Sequence, residues 1–341
     1  MKTVLVTGGA GFIGSNFVEF IFRKYQNYKI LVLDALTYAG SIENIPVYIR
    51  DSDRFEFWYG EVNNLDIVSD LVSKSDIVVH FAAETHVARS LYSHRSFFIT
   101  DVLGTQSVTN AVLKYSDRIE RFIHISTSEV YGTAAYEPMN EEHPLSPTSP
   151  YAAAKAGADR LVYSYIAAYG IPAVIIRPFN NYGRRQHLEK LIPRFITSCI
   201  LGEPLTIHGD GSAYRDWVHT EDTARAVDLA IHCPLDKVGG ECFNIGTGKQ
   251  FSVIEIAKNI SSKFGVEENF DFIPERYGQV QQHISSTEKA EKVLGFKTSI
   301  SFEEGLEKTI QWYKENRPLW EKQIPLRRVP VKRRDGSVIW Y

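Results

Sequence analysis

The chain has 341 residues, of which 44% are hydrophobic and 23% charged, and its formal net charge at pH 7 is -3. This composition is that of a folded globular protein, long enough for one large domain or two smaller ones. The small net charge gives no reason to expect nucleic acid or a membrane surface as a partner, and no apolar run approaches the ~20 residues of a membrane-spanning helix.

Short apolar strands alternate with stretches of helical spacing in the first half of the chain. The first predicted helix covers residues 17–25. The predicted strands are residues 4–6, 30–33, 77–79, 122–125 and 173–176. Because these runs are apolar without alternation, we expect strands buried on both faces, as in a parallel sheet with helices on either side. The predicted fold class is therefore α/β, a doubly wound parallel sheet of the Rossmann type.

Glycines follow the first predicted strand at Gly8, Gly11 and Gly14, and a helical stretch follows them. Such a turn lets the backbone approach a pyrophosphate, which then meets the positive end of the helix. Asp34 ends the second strand, 20 residues after Gly14. A carboxylate at that place accepts hydrogen bonds from ribose hydroxyls and repels a 2′-phosphate, so the pattern favours NAD over NADP as the cofactor.

A polar segment, residues 126–132, follows the predicted strand 122–125. Ligands of open α/β sheets bind at the carboxyl ends of the strands, so we expect Thr127, Ser128 and Glu129 in the cleft. The Thr127 hydroxyl could hydrogen-bond an alcohol that is being oxidised, and Glu129 could remove an acidic proton beside a new carbonyl. The alternative for Glu129 is an exposed loop carboxylate.

Tyr151 and Lys155 are spaced to share one face of a helix. A nearby ammonium favours the tyrosinate, so we expect Lys155 to lower the pKa of Tyr151. The phenol could then take a proton from an alcohol as hydride leaves its carbon. The same spacing alone also describes a solvated helix face, but the glycine turn and the Ser149-Pro150 pair favour the catalytic interpretation.

Elements become shorter after about Pro178, and Gly and Pro turns become more frequent. We therefore expect an NAD-binding Rossmann domain over residues 1–178 and a smaller α/β substrate-binding domain over residues 179–341, partly interleaved with the first. The scattered Cys199, Cys233 and Cys242 favour reduced thiols over a disulfide framework or a zinc site. The expected location is cytoplasmic, and no bound metal is expected.

These motifs resemble the extended short-chain dehydrogenases/reductases, and within them the nucleotide-sugar epimerase/dehydratase family. The resemblance runs from residue 2 to about residue 300 and is strongest to the dTDP-glucose 4,6-dehydratases. Beside Tyr151 and Lys155, it rests on the segments 8–14, 34–40, 80–87, 127–132, 180–183, 189–193, 215–217 and 244–246.

The resemblance implies an NAD-dependent lyase that acts on a nucleoside-diphosphate hexose in deoxysugar biosynthesis. Tyr151 would take the C4 hydroxyl proton while hydride passes to NAD, and Lys155 would hold the nicotinamide ribose. Glu129 would remove the C5 proton that the new 4-keto group acidifies, water would leave from C6, and hydride would return to C6.

Site residues follow from the same resemblance. The implied catalytic residues are Thr127, Ser128, Glu129, Tyr151 and Lys155. The implied cofactor-binding residues are Gly8, Gly11, Phe12, Ile13, Gly14, Asp34, Thr37, Glu61, Val62, Ala82, Ala83, Thr100, Tyr151 and Lys155. The implied substrate-binding residues are Glu84, His86, Asn180, Asn181, Glu189, Lys190, Leu191, Arg215, Asn244 and Gln281. Among these, Asn181, Lys190 and Arg215 would meet the diphosphate. A homodimer is also implied, built from the helix after residues 104–105 and the helix that carries Tyr151.

The sequence departs from the dTDP-glucose enzymes at informative places. Ser128 stands where they carry an Asp that protonates the leaving C6 hydroxyl, so either Glu129 does both jobs or a water relays the proton. GDP-mannose 4,6-dehydratases resemble this Thr-Ser-Glu, so Ser128 is compatible with dehydration. Gln281 or Gln282 replaces an Arg at the diphosphate, and Glu61 replaces an Asp on the adenine side.

Other functions are open on the same fold. A 4-epimerase usually has a small residue at the Glu129 position. UDP-glucuronate decarboxylases carry the Thr-Ser-Glu segment but also an Arg that residues 278–283 lack. An NAD-binding scaffold without turnover would have no need of Thr127, Tyr151 and Lys155. The histidines that could touch substrate, although such histidines are more often structural or at the surface, are His86, His94 and His208.

Overall fold

The computed structural model describes residues 1–274, 280, 282–332 and 336–340. Its strands are β1 Lys2–Thr7, β2 Tyr28–Asp34, β3 Phe55–Tyr59, β4 Ile77–His80, β5 Arg121–Ile125, β6 Ala173–Pro178, β7 Asn180–Tyr182, β8 Leu205–His208, β9 Tyr214–His219, β10 Cys242–Ile245, β11 Gln250–Ser252, β12 Phe270–Ile273, β13 Gln282–His283, β14 Pro330–Lys332 and β15 Val338–Trp340.

The helices are α1 Phe12–Lys24, α2 Val47–Arg50, α3 Leu65–Ser73, α4 Val87–Tyr92, α5 Arg95–Phe97, α6 Thr105–Lys114, α7 Pro150–Tyr169, α8 Leu191–Leu201, α9 Thr220–His232, α10 Leu235–Val238, α11 Val253–Phe264, α12 Glu288–Leu294, α13 Phe302–Glu315 and α14 Arg317–Trp320. Short 3-10 helices occupy Ile42–Asn44, Ser128–Tyr131 and Glu321–Leu326, and Phe98–Gly104 forms a π-helix.

A seven-stranded sheet forms the centre of the molecule, in the order β10-β6-β5-β4-β1-β2-β3, and its neighbouring strands are parallel. Residues 4–6 of β1 have no exposed surface, because apolar side chains cover both faces of the sheet. The α/β prediction is confirmed, and each predicted strand lies within β1, β2, β4, β5 or β6. Helix α1 begins at Phe12, earlier than predicted, directly after the glycine turn.

The strand order reverses between β1 and β4. From β1 the chain builds β2 and β3 on one side, and from β4 it builds β5 and β6 on the other. Loops that follow β1 and β4 therefore leave in opposite directions and open a crevice at their carboxyl ends.

The chain beyond Pro178 contributes to both parts of the molecule. Strand β10 extends the large sheet beside β6, and α9 packs on α1 through the same core cluster. Strands β7, β9, β11 and β13 form a small sheet, β8 pairs with β12, and α8, α11 and α13 pack around them. The domain boundary between residues 178 and 179 stays a prediction. Within the described ranges, no helix combines the length and apolar character needed to cross a membrane.

Candidate active site

A cavity of about 670 Å³ runs along the carboxyl ends of β1, β2, β4 and β5 and reaches α8 and β9 in the second part of the chain. Of the residues predicted to bind cofactor or substrate or to act in catalysis, those that line it are Gly8, Gly11, Phe12, Ile13, Gly14, Asp34, Thr37, Glu61, Val62, Ala82, Ala83, Glu84, His86, Thr100, Thr127, Ser128, Glu129, Tyr151, Lys155, Asn180, Asn181, Glu189, Lys190, Leu191 and Arg215. Asn244 does not line the cavity, and Gln281 lies outside the described residues.

The glycine turn brings the backbone of β1 and α1 against the loop after β4. Gly8 has a φ of +69°, and a Cβ on it would lie 2.5 Å from the Ala82 backbone nitrogen. A Cβ on Gly14 would lie 2.2 Å from the Gly8 carbonyl oxygen. Both positions therefore exclude a side chain, and the turn leaves a bare backbone cradle at the start of α1, where an anion would be stabilised.

Asp34 is held at the end of β2 by backbone donors. Its carboxylate accepts hydrogen bonds from the Ala10 amide at 2.9 Å and the Leu36 amide at 2.8 Å. Burial raises the pKa of this carboxyl, and the amide donors oppose the rise. Each carboxylate oxygen has more than one lone pair, so the fixed side chain can still accept from hydroxyl groups in the cavity.

Helix α7 begins just before Tyr151 because the sequence supplies a capping serine and a proline at that point. The Ser149 side chain accepts from the Ala152 amide at 3.1 Å, and Pro150 occupies the first turn. Tyr151 and Lys155 both face the cavity, and the Lys155 ammonium donates to the Ile125 carbonyl at 2.7 Å. The sequence alternative of a solvated helix face is excluded, since both side chains are buried.

The sequence predicted a lowered pKa for Tyr151, and the structure gives the opposite direction. Burial raises the pKa of Tyr151, and the carboxylates of Asp101 and Glu129 raise it further; a hydrogen bond with Thr127 lowers it. The pKa of Tyr151 is therefore raised where a lowering was expected. Burial lowers the pKa of Lys155 itself, Asp101 and Asp159 raise it, and the ammonium donates to a carbonyl at the end of β5.

The segment after β5 turns sharply into the cavity. Thr127 caps the 3-10 helix Ser128–Tyr131 by accepting from the Glu129 amide at 3.2 Å. Glu129 is half-buried and lines the cavity, so it is not an exposed loop carboxylate. Ser128 is almost fully buried and lines the same wall. One short turn therefore presents a hydroxyl and a carboxylate on the same side as Tyr151.

A buried polar network holds this turn from behind. The Tyr131 hydroxyl donates to Asn244 at 2.7 Å and accepts from Arg177 at 2.9 Å, and Arg177 pairs with Asp159 at 2.8 Å. Asn244 also donates to the Met139 carbonyl at 3.0 Å. The structure therefore places Asn244 behind the turn Ser128–Tyr131 and outside the cavity lining, because its strand β10 pairs with β6 at the edge of the large sheet.

The opposite wall carries a buried carboxylate with its own partners. Glu189 accepts from the Tyr38 hydroxyl at 2.8 Å and from Arg89 at 2.7 Å. Burial opposes its ionisation, but electrostatic interactions with His86, Lys190, His187 and Arg89 lower its pKa to about 2. Tyr38 and Arg89 were missed by the sequence reasoning; a buried acid such as Glu189 requires counter-charges, but the chain alone does not say which cations supply them.

The three residues predicted to meet the diphosphate differ in their hydrogen-bond partners. The Asn181 amide donates to the Phe179 carbonyl at 3.0 Å and accepts from Thr223 at 2.6 Å, so it holds its own loop. The Lys190 ammonium donates to the Thr85 carbonyl at 2.7 Å, and Arg215 donates to the Tyr214 carbonyl at 2.8 Å. Both cations lie in the cavity wall, where they can meet negative charge.

Of the three histidines considered as substrate contacts, two line the cavity and one does not. His86 caps α4 by accepting from the Arg89 amide at 3.3 Å and also lines the cavity. His208, at the end of β8, lines the cavity near α8. His94 is exposed and lies away from the cavity.

Comparison with known proteins gives a consistent set of similarities. The family model described as GDP-mannose 4,6 dehydratase matches residues 5–309. The chain is 42% identical to the low-salt glycan biosynthesis protein Agl12 of Haloferax volcanii, over 91% of this chain and 98% of that protein. It is 39% identical to a dTDP-glucose 4,6-dehydratase of Streptomyces niveus, over 93% of this chain and 94% of that protein.

Solved structures show the same similarity in three dimensions. The dTDP-glucose 4,6-dehydratase of Bacillus anthracis in complex with NAD is 34% identical, with a TM-score of 0.87, over 95% of this chain and 100% of that chain. The UDP-glucuronic acid 4-epimerase of Bacillus cereus, in complex with UDP-glucuronic acid and NAD, is 29% identical, with a TM-score of 0.86, over 92% of this chain and 99% of that chain.

Proposed function

Because the chain belongs to the GDP-mannose 4,6-dehydratase family of extended short-chain dehydrogenases, we propose that it is an NAD-dependent 4,6-dehydratase of a nucleoside-diphosphate hexose. dTDP-glucose is the first candidate substrate, since dTDP-glucose 4,6-dehydratases are similar to it over nearly the whole chain.

One observation carries this proposal: Glu129 lies in the same cavity wall as Thr127, Tyr151 and Lys155. Oxidation at C4 needs only a group that removes the hydroxyl proton, and a 4-epimerase uses no more than that. Elimination across C5 and C6 also needs a base for the C5 proton. A carboxylate on the turn beside Tyr151 supplies that base.

NAD fits the residues present. The cradle left by Gly8 and Gly14 would hold the pyrophosphate, and Asp34 would accept from the adenosine ribose. Lys155 would hold the nicotinamide ribose. When bound, NAD supplies the acceptor and later the donor of hydride, and its oxidised ring adds a positive charge that favours the tyrosinate form of Tyr151.

The protein's own groups move the protons. Tyr151 takes the C4 hydroxyl proton, with the Thr127 hydroxyl positioned to orient that alcohol. The resulting 4-keto group acidifies the C5 proton, which Glu129 removes. The same carboxyl then gives its proton to the leaving C6 hydroxyl, because Ser128 is a neutral hydroxyl and a far weaker acid. Hydride would then return to C6, and a proton from solvent would be added at C5, which gives the 4-keto-6-deoxy sugar. Tyr151 releases to solvent the proton that it took from the C4 hydroxyl.

The test is incubation of the purified protein with dTDP-glucose, UDP-glucose, UDP-GlcNAc, GDP-mannose and UDP-glucuronate in deuterated water, followed by mass spectrometry. Loss of water with deuterium gained at C5 is the expected result. An unchanged mass with a new retention time would indicate an epimerase, and loss of carbon dioxide would indicate a decarboxylase; either would contradict the proposal.

We also propose a cytoplasmic homodimer. Large apolar side chains are exposed on the outer surface of α7 and on the π-helix that leads into α6, at Phe98, Leu103, Tyr163 and Tyr169. Helices α6 and α7 pack side by side, so a second copy could cover both. A monomer in light scattering at micromolar concentration would contradict the dimer.

A further inference from the structure

A buried carboxyl group lies next to the catalytic helix and has no part in the steps above. Asp101 is 0% exposed and belongs to the π-helix Phe98–Gly104, which packs against α7. The neighbouring Phe97 ring lies 6.2 Å from the Tyr151 ring, centroid to centroid. Val102 would lie 3.4 Å from a Cβ placed on Gly157. The π-helix is therefore fixed against the face of α7 that carries Tyr151.

The hydrogen bonds of Asp101 leave half of its carboxylate unused. Oδ1 accepts from the Glu84 amide at 2.8 Å, whereas Oδ2 is buried and has no hydrogen-bond partner in the part of the chain that the structure describes. The Asp101 carbonyl accepts from Thr105 at 2.6 Å, and Thr105 lies 3.0 Å from a ring nitrogen of His80. Short π-helical segments such as this one are frequent at functional sites.

Charged and titratable groups on three elements of the fold interact with this carboxyl or with its neighbour Lys155. Helix α7 contributes the Lys155 ammonium and the Tyr151 phenol, which both interact electrostatically with Asp101. Helix α7 also contributes Asp159, which acts on Lys155. The groups on the other elements are Glu84 and His80 from β4 and its loop, and His124 from β5. His80 and His124 are kept neutral by burial, which lowers their pKa, so Lys155 is the cation that faces Asp101.

We propose that Asp101 is a positioning residue that acts through Lys155 and Tyr151. Its carboxylate is the buried counter-ion of the ammonium, and it sets the pH range over which the pair can work. This inference rests on the proposed function, because it takes Tyr151 as the group that accepts the substrate proton.

The direction in which Asp101 shifts the pKa of Lys155 and of Tyr151 follows from its negative charge. Burial raises the pKa of Asp101 to about 7, against the pull of Lys155. Burial lowers the pKa of Lys155, and Asp101 raises it. Burial raises the pKa of Tyr151, and Asp101 raises it further. Removing the negative charge therefore lowers the pKa of both Lys155 and Tyr151.

A rate that requires both an ionised Tyr151 and a charged Lys155 depends on pH as a bell. Since both pKa values fall together when the carboxylate is removed, both limbs of the bell move to lower pH. A residue that only supported the fold would lower the whole curve or broaden it, but it would not move both limbs in the same direction.

The test compares the pH dependence of kcat/KM for the NAD-bound wild type and Asp101→Asn. Asn keeps the acceptor for the Glu84 amide and removes the charge. We expect both limbs to shift to lower pH by about one unit, the size typical of a neighbouring charge. The matched control is Asp222→Asn. The Asp222 carboxylate is also buried and accepts a hydrogen bond of 2.8 Å from the Ser299 hydroxyl, but it does not line the cavity. Neither limb of the pH profile should move in this variant.

Limbs that stay in place in Asp101→Asn, or that move equally in Asp222→Asn, would overturn the inference. If Asp101→Asn does not fold, Asp101→Ser gives the same comparison, because it also removes the negative charge. If wild type converts no nucleotide sugar, the proposed function fails, and the inference is then judged by the ultraviolet absorbance of tyrosinate. In that titration, the Tyr151 signal is the difference between each protein and its Tyr151→Phe counterpart, and it should appear at lower pH without Asp101.

Discussion

Replacing Glu129 by Gln separates the two halves of the proposed reaction. The substitution keeps the size of the side chain and leaves the Glu129 backbone amide free to donate to Thr127, as it does at 3.2 Å. The short helix Ser128–Tyr131 is also held by the Tyr131 hydroxyl, so the turn should keep its shape. What the substitution removes is the carboxylate that we propose as the base for the C5 proton.

The expected magnitude follows from the role of a positioned base. General base catalysis contributes about 10²- to 10⁴-fold, which corresponds to roughly 3–5 kcal/mol of barrier. Glu129 is the carboxylate that the turn presents beside Tyr151, and Ser128 cannot replace it because a hydroxyl is far less basic. Dehydration should therefore fall by about 10²-fold or more. Oxidation at C4 should persist, because Thr127, Tyr151 and Lys155 are unchanged.

The assay is a single turnover with enzyme in excess of dTDP-glucose, read by NADH absorbance and by mass spectrometry of the sugar. In Glu129→Gln, NADH should form and remain, with little loss of water from the sugar. Thr127→Val is the comparison, since it should slow NADH formation itself. Dehydration by Glu129→Gln within about tenfold of wild type would refute the reasoning that assigns the C5 proton to this carboxylate.

Three further changes test other parts of the structure. Gly14→Ala forces a Cβ to 2.2 Å from a backbone oxygen, so NAD affinity should fall at least ~10-fold by calorimetry; unchanged affinity would contradict the close approach. Tyr131→Phe removes the hydroxyl that connects the turn Ser128–Tyr131 to the buried network, and should cost about 1–2 kcal/mol in the free energy of unfolding by denaturant titration; equal midpoints would contradict this. Glu189 has its pKa lowered to about 2, below the ordinary value of about 4.3. Its stabilisation is therefore present above that ordinary pKa and is lost as pH falls from about 5 toward 2. Arg89→Ala should weaken this pH dependence, and parallel stability curves would count against it.

Local patterns in the chain predicted five of the seven strands of the large sheet, and the family resemblance supplied most of the residues of the cavity wall. The apolar runs around β1, β2 and β4 predicted buried parallel strands because only a strand covered on both faces can lack polar alternation. The turn at Gly8 and Gly14 was readable because both positions forbid a Cβ. Strand β3 was missed; it lies at the edge of the sheet, where three of its five residues are only partly buried and Tyr59 is exposed.

The placement of Asn244 shows where local patterns stop. It stands in a short motif beyond residue 178, in the part of the chain that was expected to bind substrate. Strand β10 returns to the large sheet beside β6, and this pairing turns Asn244 toward Tyr131. A pairing between segments that far apart is decided by packing of the whole sheet and leaves no local signal.

The sequence by itself determined the α/β fold class, the glycine turn, the position of Asp34 and the helical spacing of Tyr151 and Lys155, since each depends on neighbouring residues and backbone geometry. Only the tertiary structure decided the charges that act on that pair. Burial raises the pKa of Tyr151, and Asp101, on a π-helix far from α7 in the chain, raises it further. The physical reason is that a pKa depends on burial and on every charge nearby in space, and these are properties of the folded molecule.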